Sequence, residues 1–480
     1  MQMLLGGKHT DASNGAVIPV FNPYTGKQID TVPCATHEDV QNAIACARRG
    51  FAVWSKTPLN KRIAILEKFM DLLTAKKPEL LKLMIAESGK CISNADGEID
   101  EAIMLFQAYS EKARNFGGEI LPRNSEDRSQ NDLLMVVHEP LGVVACITPF
   151  NFPVELFAHK VAPAIVMGNA VILKPASDTP LTSIFMAELM LEAGVEPNAI
   201  QVITGRGAEV GNWLSLSEDV NMVSLTGSTE SGSAVMQNCG KNITRVGLEL
   251  GGNDPLIVMD NCDLDAAVES AKGGRCWNAG QTCNACKRFL VHNSVKEEFT
   301  KKLVESLRGI KIGAPEDRDT VYGTLINEAA ANKAVEQVKQ CVAEGAELLL
   351  GGGLDAPTVM QPTVLGGVTK DMQIACDMEV FGPVWPIIGF DTWQEAVEIS
   401  NQSSFGLSSG VFCDDLRTAM KIASGLDCGA CVIGGNGCYR TAHEPYGGHK
   451  KSGIGVEGVA KTLEELTQIK TIILSQVFAD

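Results

Sequence analysis

The chain has 480 residues, more than one hydrophobic core usually organises, so two or three domains are expected. Its 45% apolar and 21% charged residues are ordinary for a folded protein and exclude a disordered chain. The formal net charge of -17 argues against nucleic acid or an anionic membrane surface as the main partner.

The opening residues, Met1 to Gly7, contain no basic n-region and no sustained apolar h-region, so no signal peptide is read. No run approaches the ~18 to 20 apolar residues that span a bilayer. The expected setting is cytoplasmic, where the 15 cysteines stay reduced. Two CxxC spacings, Cys283/Cys286 and Cys428/Cys431, have the ligand count for zinc, but they lie far apart and neither sits in a short knuckle. No metal site is expected.

Residues 39–114 read as helical. Glu38 and Asp39 suit a helix N-terminus. Ile63, Ile65, Leu66, Phe69 and Leu72 form a helical stripe, with Pro58 before it and Pro78 after it. The polar stretch 124–132, ahead of 133–137, suggests the start of a projecting hairpin. From Leu141 the pattern changes. Strands are predicted at 141–147 and 170–174, with a helix at 154–167 between them. A helix at 182–193 and strands at 200–204 and 222–225 follow. Strands alternating with helices predict βαβ units and a parallel sheet, with ligands at the carboxyl ends of its strands. The second half repeats this grammar, with strands at 255–259 and 288–291 and helices at 295–307 and 329–345. The fold class is therefore α/β, with two α/β domains. The segment 470–474 reads as a strand with no partner nearby, and with the 124–132 stretch it suits oligomer contacts.

Several local patterns carry chemistry. Thr226-Gly227-Ser228-Thr229-Glu230-Ser231-Gly232 lies between a strand and a helical run. Glycines there let backbone approach a phosphate, and the helix N-terminus offers free N–H groups. The spacing is GxxxxG rather than GxGxxG, and taken alone it reads better as an ordinary tight turn. Lys174, at the end of its strand, can meet a ribose or phosphate; alone, it reads as a solvated lysine. Glu249 sits in an apolar strand before Gly251 and Gly252. Buried, it is a general base with a raised pKa; on an edge strand, it simply faces water. Cys283, in a glycine-containing loop before a strand, is either a reactive thiol or an inert buried cysteine, the commoner case.

In combination these segments resemble the aldehyde dehydrogenase superfamily over almost the whole chain. In family order stand Thr148-Pro149-Phe150-Asn151-Phe152-Pro153, Leu173-Lys174-Pro175-Ala176, the Thr226 to Gly232 turn, Leu248-Glu249-Leu250-Gly251-Gly252 and Gly280-Gln281-Thr282-Cys283. Glu379-Val380-Phe381-Gly382-Pro383 follows, then Pro445-Tyr446-Gly447-Gly448 through Lys451-Ser452-Gly453. One such match would be weak; seven in order are a strong signal.

The resemblance implies Cys283 as nucleophile, Glu249 as general base, and Asn151 in an oxyanion hole with the backbone N–H of Cys283. Thiolate attack on an aldehyde gives an alkoxide, which expels hydride to a nicotinamide and leaves a thioester for Glu249-activated water to hydrolyse. Cofactor contacts are implied for Thr148, Phe150, Lys174, Ser177, Gly207, Gly227, Ser228, Glu379 and Phe381. Lys174 and Glu379 would hold the riboses. Many members have tryptophan at Phe150. NAD-preferring members often have glutamate at Ser177, where it repels a 2′-phosphate. The cofactor is thus NAD or NADP, and Ser177 predicts that NADP is at least tolerated.

On the substrate side the resemblance points to Trp277, Thr282, Arg440 and His443. Thr282 stands where members acting on a phosphorylated triose tend to carry arginine. Arg440 and His443 suit a hydroxyl or a carboxylate, with a structural salt bridge the competing role for Arg440. The expected partner is a small polar aldehyde, a hydroxyaldehyde or a semialdehyde. Two rivals are a coenzyme A-acylating member, opposed by Glu249, and a catalytically silent protein on the same fold, opposed by Cys283, Glu249 and Asn151. The implied division gives 1–120 and 140–248 to a Rossmann-like dinucleotide-binding domain and 249–445 to a catalytic domain. It gives 121–139 and 460–480 to a small β oligomerisation element, in a homodimer or homotetramer.

Overall fold

The computed structural model describes residues 1–123 and 126–479. The first two residues of the expected 124–132 stretch lie outside the described residues.

Three helices, His37–Trp54, Leu59–Ser88 and Ile92–Arg114, precede the first parallel strands. The first begins on a capping box: the Asp39 N–H donates to Thr36 Oγ1, and the Thr36 N–H donates to the Asp39 carboxylate. The second runs 30 residues and continues through Pro78, which the sequence placed beyond its stripe. An interior proline forfeits a helical hydrogen bond. Here Leu73 and Leu80, on either side of it, are fully buried, and this packing keeps the helix intact.

The eight-stranded sheet has the order Lys8–Thr10, Met3–Leu5, Ile200–Val202, Ala170–Lys174, Val143–Ile147, Met222–Thr226, Arg245–Glu249, Gly453–Ile454. Its central strands, from Ile200–Val202 to Arg245–Glu249, are parallel. After Val143–Ile147 the chain builds outward on one side, then returns at Met222–Thr226 to the other. That reversal opens a crevice beyond the carboxyl ends, where Thr148 and Gly227 lie. Glu249 is not on an edge: it pairs with Thr226 on one side and Gly453 on the other, and it is buried.

The seven-stranded sheet has the order Glu347–Leu350, Thr363–Val368, Val384–Phe390, Arg288–His292, Pro255–Val258, Gly410–Phe412, Val432–Ile433. All its pairs but the first are parallel. Residues 250–254 lead from the carboxyl edge of the first sheet to the amino edge of the second. The Cys283 loop and residues 379–383 reach that same amino edge. The site therefore forms where the end of one sheet faces the beginning of the other.

The terminal strand Thr467–Leu474 does have a partner. It pairs antiparallel with Leu133–Pro140, which also pairs with Glu119–Ile120. Ile120, Ile469, Ile472 and Ile473 of this small sheet are exposed. Among the described residues, no helix is long and apolar enough to cross a membrane.

A buried carboxylate locks two helices beside the crevice. Glu98 accepts hydrogen bonds from the N–H groups of Val154 (2.8 Å) and Glu155 (3.2 Å), where the helix Glu155–Val166 begins. It also pairs with Lys90, and both side chains are fully buried. Removing one partner strands the other charge in a medium that cannot solvate it. Glu98→Ala should therefore destabilise the protein by roughly 3–5 kcal/mol, read from the midpoint of urea unfolding.

Candidate active site

The loop carrying Cys283 connects the helix Leu264–Cys276 to the strand Arg288–His292. Asn278, Ala279 and Gly280 all take left-handed backbone, with φ of 48°, 55° and 75°. For the two non-glycine residues this is strain that the surroundings must offset. Asn278 is held by its N–H on Asn94 Oδ1 (3.1 Å), and its side-chain amide donates to the carbonyls of Asn151 (3.0 Å) and Gln281 (3.3 Å). The Asn151 amide in turn donates to the Gln281 carbonyl at 3.0 Å, which places Asn151 against the loop. Gly280 is required sterically, since a Cβ there would lie 2.4 Å from the Gly382 carbonyl oxygen.

Two residues overlooked in the sequence complete the loop. Lys287 is buried, donates to the carbonyls of Cys283 (2.5 Å) and Ala285 (3.3 Å), and lies 3.3 Å from Glu379. Tyr446 places its hydroxyl 3.3 Å from the Cys283 sulfur. Burial pushes the Cys283 thiol up to about 11, with the Tyr446 hydrogen bond and the charge of Lys287 opposing. Tyr446 was legible only as part of a motif, and Lys287 only as a neighbour of the cysteine.

Two cavities meet at Cys283, the one residue among those described that lines both. The larger, of about 600 Å³, is lined by Thr148, Phe150, Lys174, Ser177, Gly207, Gly227, Ser228, Glu379 and Phe381, every residue implied for the cofactor. Asn151 borders it too. Burial pulls Lys174 down to about 8, opposed by Asp178. Ser228 caps the helix Thr229–Cys239, accepting the Ser231 N–H at 3.2 Å. Phe150 and Phe381 meet edge to face at 6.1 Å. Gly251 has no side chain because Glu379 needs the space: a Cβ there would lie 2.4 Å from its carboxylate. A helix N-terminus, a buried lysine and two aromatic rings around a cleft of this size fit a nicotinamide dinucleotide.

The smaller cavity, of about 290 Å³, is lined by Glu101, Phe152, Glu155, Trp277, Thr282, Asn284, Arg440 and Tyr446. The Arg440 guanidinium lies 2.9 Å from Glu457, 3.1 Å from His159 Nε2, and 3.7 Å over the Tyr446 ring. It is salt-bridged and lines the cavity at once. His443 lines neither cavity, contrary to expectation. The Thr441 N–H bonds the Glu444 carboxylate and the Glu444 N–H bonds Thr441 Oγ1, a closed turn that leaves His443 exposed.

Glu249 also lines neither cavity. It occupies a separate space of about 20 Å³ beside His159, Lys160 and Glu457, three residues that no motif singles out. Burial and the charge of Glu457 raise its pKa well above the usual carboxylate range, with Arg440 and Lys160 opposing. One carboxylate oxygen has no hydrogen-bond partner among the described residues. Among the described residues no group of three or more His, Cys, Asp or Glu could hold a metal ion; Cys286 packs against the Pro255 carbonyl and the Gly437 N–H, while Cys428 meets Ser409.

A dinucleotide-sized cleft and a smaller cavity that share Cys283 are the arrangement of a nicotinamide-dependent dehydrogenase. Residues 9–472 match the aldehyde dehydrogenase family. The chain is 38% identical to a 3-sulfolactaldehyde dehydrogenase of Priestia aryabhattai, over 95% of this chain and 94% of that one. It is 35% identical to a mitochondrial succinate-semialdehyde dehydrogenase of Oryza sativa subsp. japonica, over 99% and 90%. The crystal structure of betaine aldehyde dehydrogenase from Staphylococcus aureus in complex with NAD+ superposes with a TM-score of 0.95 at 34% identity, covering 99% of this chain and 95% of that one. The chain belongs to the aldehyde dehydrogenase family, and it is an NAD(P)-dependent aldehyde-oxidising enzyme.

Gly280→Ala should force the Cys283 loop away from Gly382. A displacement on the order of 1 Å at a reacting atom costs about 100-fold in rate, so kcat should fall by about that factor, and the strain of alanine in left-handed backbone should also lower the thermal unfolding midpoint.

Proposed function

We propose that the enzyme oxidises a small polar aldehyde, a hydroxyaldehyde or semialdehyde, to its carboxylic acid, with Cys283 as nucleophile, Glu249 as base and Asn151 as oxyanion donor. The position of Cys283 between the two cavities carries the reading. The cavity beside Cys283 counts Glu101, Glu155, Thr282, Asn284 and Arg440 among its lining residues, polar groups that suit an aldehyde with a polar far end. The relatives named above, acting on a sulfolactaldehyde and a semialdehyde, support the same substrate range.

The attacking species is the thiolate. Tyr446 can donate its proton-bearing hydroxyl to the sulfur, and the charges of Lys287 and Arg440 favour ionisation. The Asn151 side-chain amide and the Cys283 N–H stabilise the alkoxide without giving up a proton. When bound, the nicotinamide supplies a positive charge near the sulfur and accepts hydride. Glu249, turned from its buried space toward the thioester, takes a proton from the hydrolytic water; its raised pKa makes it basic enough to do so near neutrality.

Ser177 donates to the Gly205 carbonyl at 3.0 Å, and Asp178 is engaged by the Asn327 amide at 3.0 Å. Lys333 borders the same cleft. No glutamate stands at position 177 to repel a 2′-phosphate, so NADP is accepted alongside NAD. The same reading assigns the small sheet, with its exposed isoleucines, to self-association as a dimer or tetramer. A cytoplasmic setting suits the 15 free cysteines.

Cys283→Ala should abolish aldehyde oxidation and leave cofactor binding intact, and retained turnover would remove Cys283 from its role. With the thiol pushed up to about 11, alkylation of Cys283 by iodoacetamide without cofactor should quicken about tenfold per pH unit from about pH 7 to 9. Cys283→Ala corrects this rate for the other cysteines. Ser177→Glu should lower the ratio of kcat/KM for NADP to that for NAD by at least about tenfold, through repulsion of the 2′-phosphate.

A further inference from the structure

Glu249 faces neither of the cavities that meet at Cys283, and the space that holds it is more specific than burial alone requires. His159, Lys160, Ser224 and Glu457 line that space of about 20 Å³ with it. Glu249 Oε2 and His159 Nδ1 are both buried, and neither has a hydrogen-bond partner among the described residues. The tautomer of His159 follows from its other nitrogen. Arg440 Nη2 lies 3.1 Å from His159 Nε2, and a guanidinium only donates, so Nε2 accepts and Nδ1 carries the proton. Lys160 donates to Ser224 Oγ and to Glu457 Oε1, each at 3.1 Å, which leaves one ammonium N–H over.

Two spare donors and one spare carboxylate oxygen thus border the same small space. Buried polar groups left unmatched are costly. A single water fits the set, since it needs roughly 10–15 Å³ and about two to four polar partners. It accepts from Lys160 Nζ and His159 Nδ1 and donates to Glu249 Oε2, so one molecule satisfies all three groups.

We propose that Lys160 and His159 hold one ordered water against Glu249 Oε2, and that His159 is thereby a positioning residue for the base. The proposal rests on the reading of Glu249 as the group that activates the hydrolytic water. The charged groups that act on Glu249 are Glu457 and Glu465, which oppose its ionisation together with burial, and Arg440 and Lys160, which favour it. Lys160 and His159 come from the helix Glu155–Val166, and Glu465 ends the helix Val459–Glu465. The held water adds what none of these charges supplies, a hydrogen bond donated to the carboxylate itself. A bond to the ionised form favours that form. Loss of the His159 donor loosens the water, so the base ionises only at higher pH.

Two substitutions at one position separate this role from packing. Glutamine brings its amide near the place of Nε2, and asparagine near that of Nδ1. His159→Gln therefore keeps an acceptor for Arg440 and loses the donor to the water, and His159→Asn does the reverse. Acyl-enzyme formed from propanal and excess cofactor is quenched at intervals, and its decay is followed by intact mass from about pH 5 to 9. In the parent, decay quickens with pH as Glu249 ionises. His159→Gln should move that rise upward by at least about half a pH unit, slowing decay on its acid side at least about threefold. His159→Asn should leave the rise near its parental position. A crystal structure of the parent should show one water within hydrogen-bonding distance of Glu249 Oε2, Lys160 Nζ and His159 Nδ1. A rise that His159→Gln leaves in place, equal shifts in both variants, or no ordered water at these three atoms overturns the proposal. The crystal structure decides by itself if a variant does not fold. Glu249→Gln keeps the two readings apart. If it retains the rise, Glu249 is not the base and the positioning role falls with it; if it abolishes the rise while His159→Gln has no effect, only the positioning role fails.

Discussion

The ammonium of Lys287 sits where water cannot reach it, and much of the site is arranged to compensate its charge. The side chain is 1% exposed. A desolvated cation is tolerated only with close acceptors, and Lys287 finds them in the carbonyls of Cys283 and Ala285 and the carboxylate of Glu379. None of these groups can drift without leaving the charge unmatched. Glu379 also accepts the Gly252 N–H at 3.2 Å, on the segment that follows Glu249. One lysine therefore ties together the Cys283 loop, a wall of the larger cavity and the connection leading from the expected base.

Two buried arginines extend the same device. Arg288 donates to the carbonyls of Asn253 (2.5 Å), Ala375 (3.1 Å), Ile399 (3.0 Å) and Ser400 (2.9 Å). Arg275 donates to the carbonyls of Val384 (3.1 Å) and Val380. Neither needs an acidic partner, because irregular backbone at the amino edge of the second sheet and the last turn of the helix Trp393–Asn401 supply carbonyls that would otherwise be unpaired. The planar fork of donors suits this task better than an ammonium. Loops that must be irregular, to bring residues 250–254, 280–283 and 379–383 together, are thus held about as firmly as regular structure.

How much was readable in advance follows from how local each cause is. Strands such as Val143–Ile147 and Ala170–Lys174 are buried on both faces, so they appear in the sequence as continuous apolar runs. The residues that line the larger cavity were legible through motifs because each stands at a fixed offset from a strand end. The glycine turn at Gly227 looked ordinary by itself; its meaning came from the reversal of strand order beside it. The helix through Pro78 contradicted a local rule that distant packing overrides. The pairing of Thr467–Leu474 with Leu133–Pro140 spans most of the chain, and no nearby pattern announces it. His443 stands in a two-bond turn that no local pattern announces, and it lines neither cavity. Lys287, Lys160 and Glu457 matter only through contacts, and contacts across elements leave no periodic trace.

The two cavities touch at a single sulfur and share no other described lining residue. In traffic terms, the protein has two doors and one meeting point. On the proposed reading, with the nucleotide in the larger cavity and the aldehyde in the smaller, neither occupant stands on the other's walls except at Cys283. Sterics therefore impose no order of arrival or departure. Any sequence of steps that such an enzyme displays must come from affinity, or from the charge state of the thiol, rather than from one reactant standing in another's path.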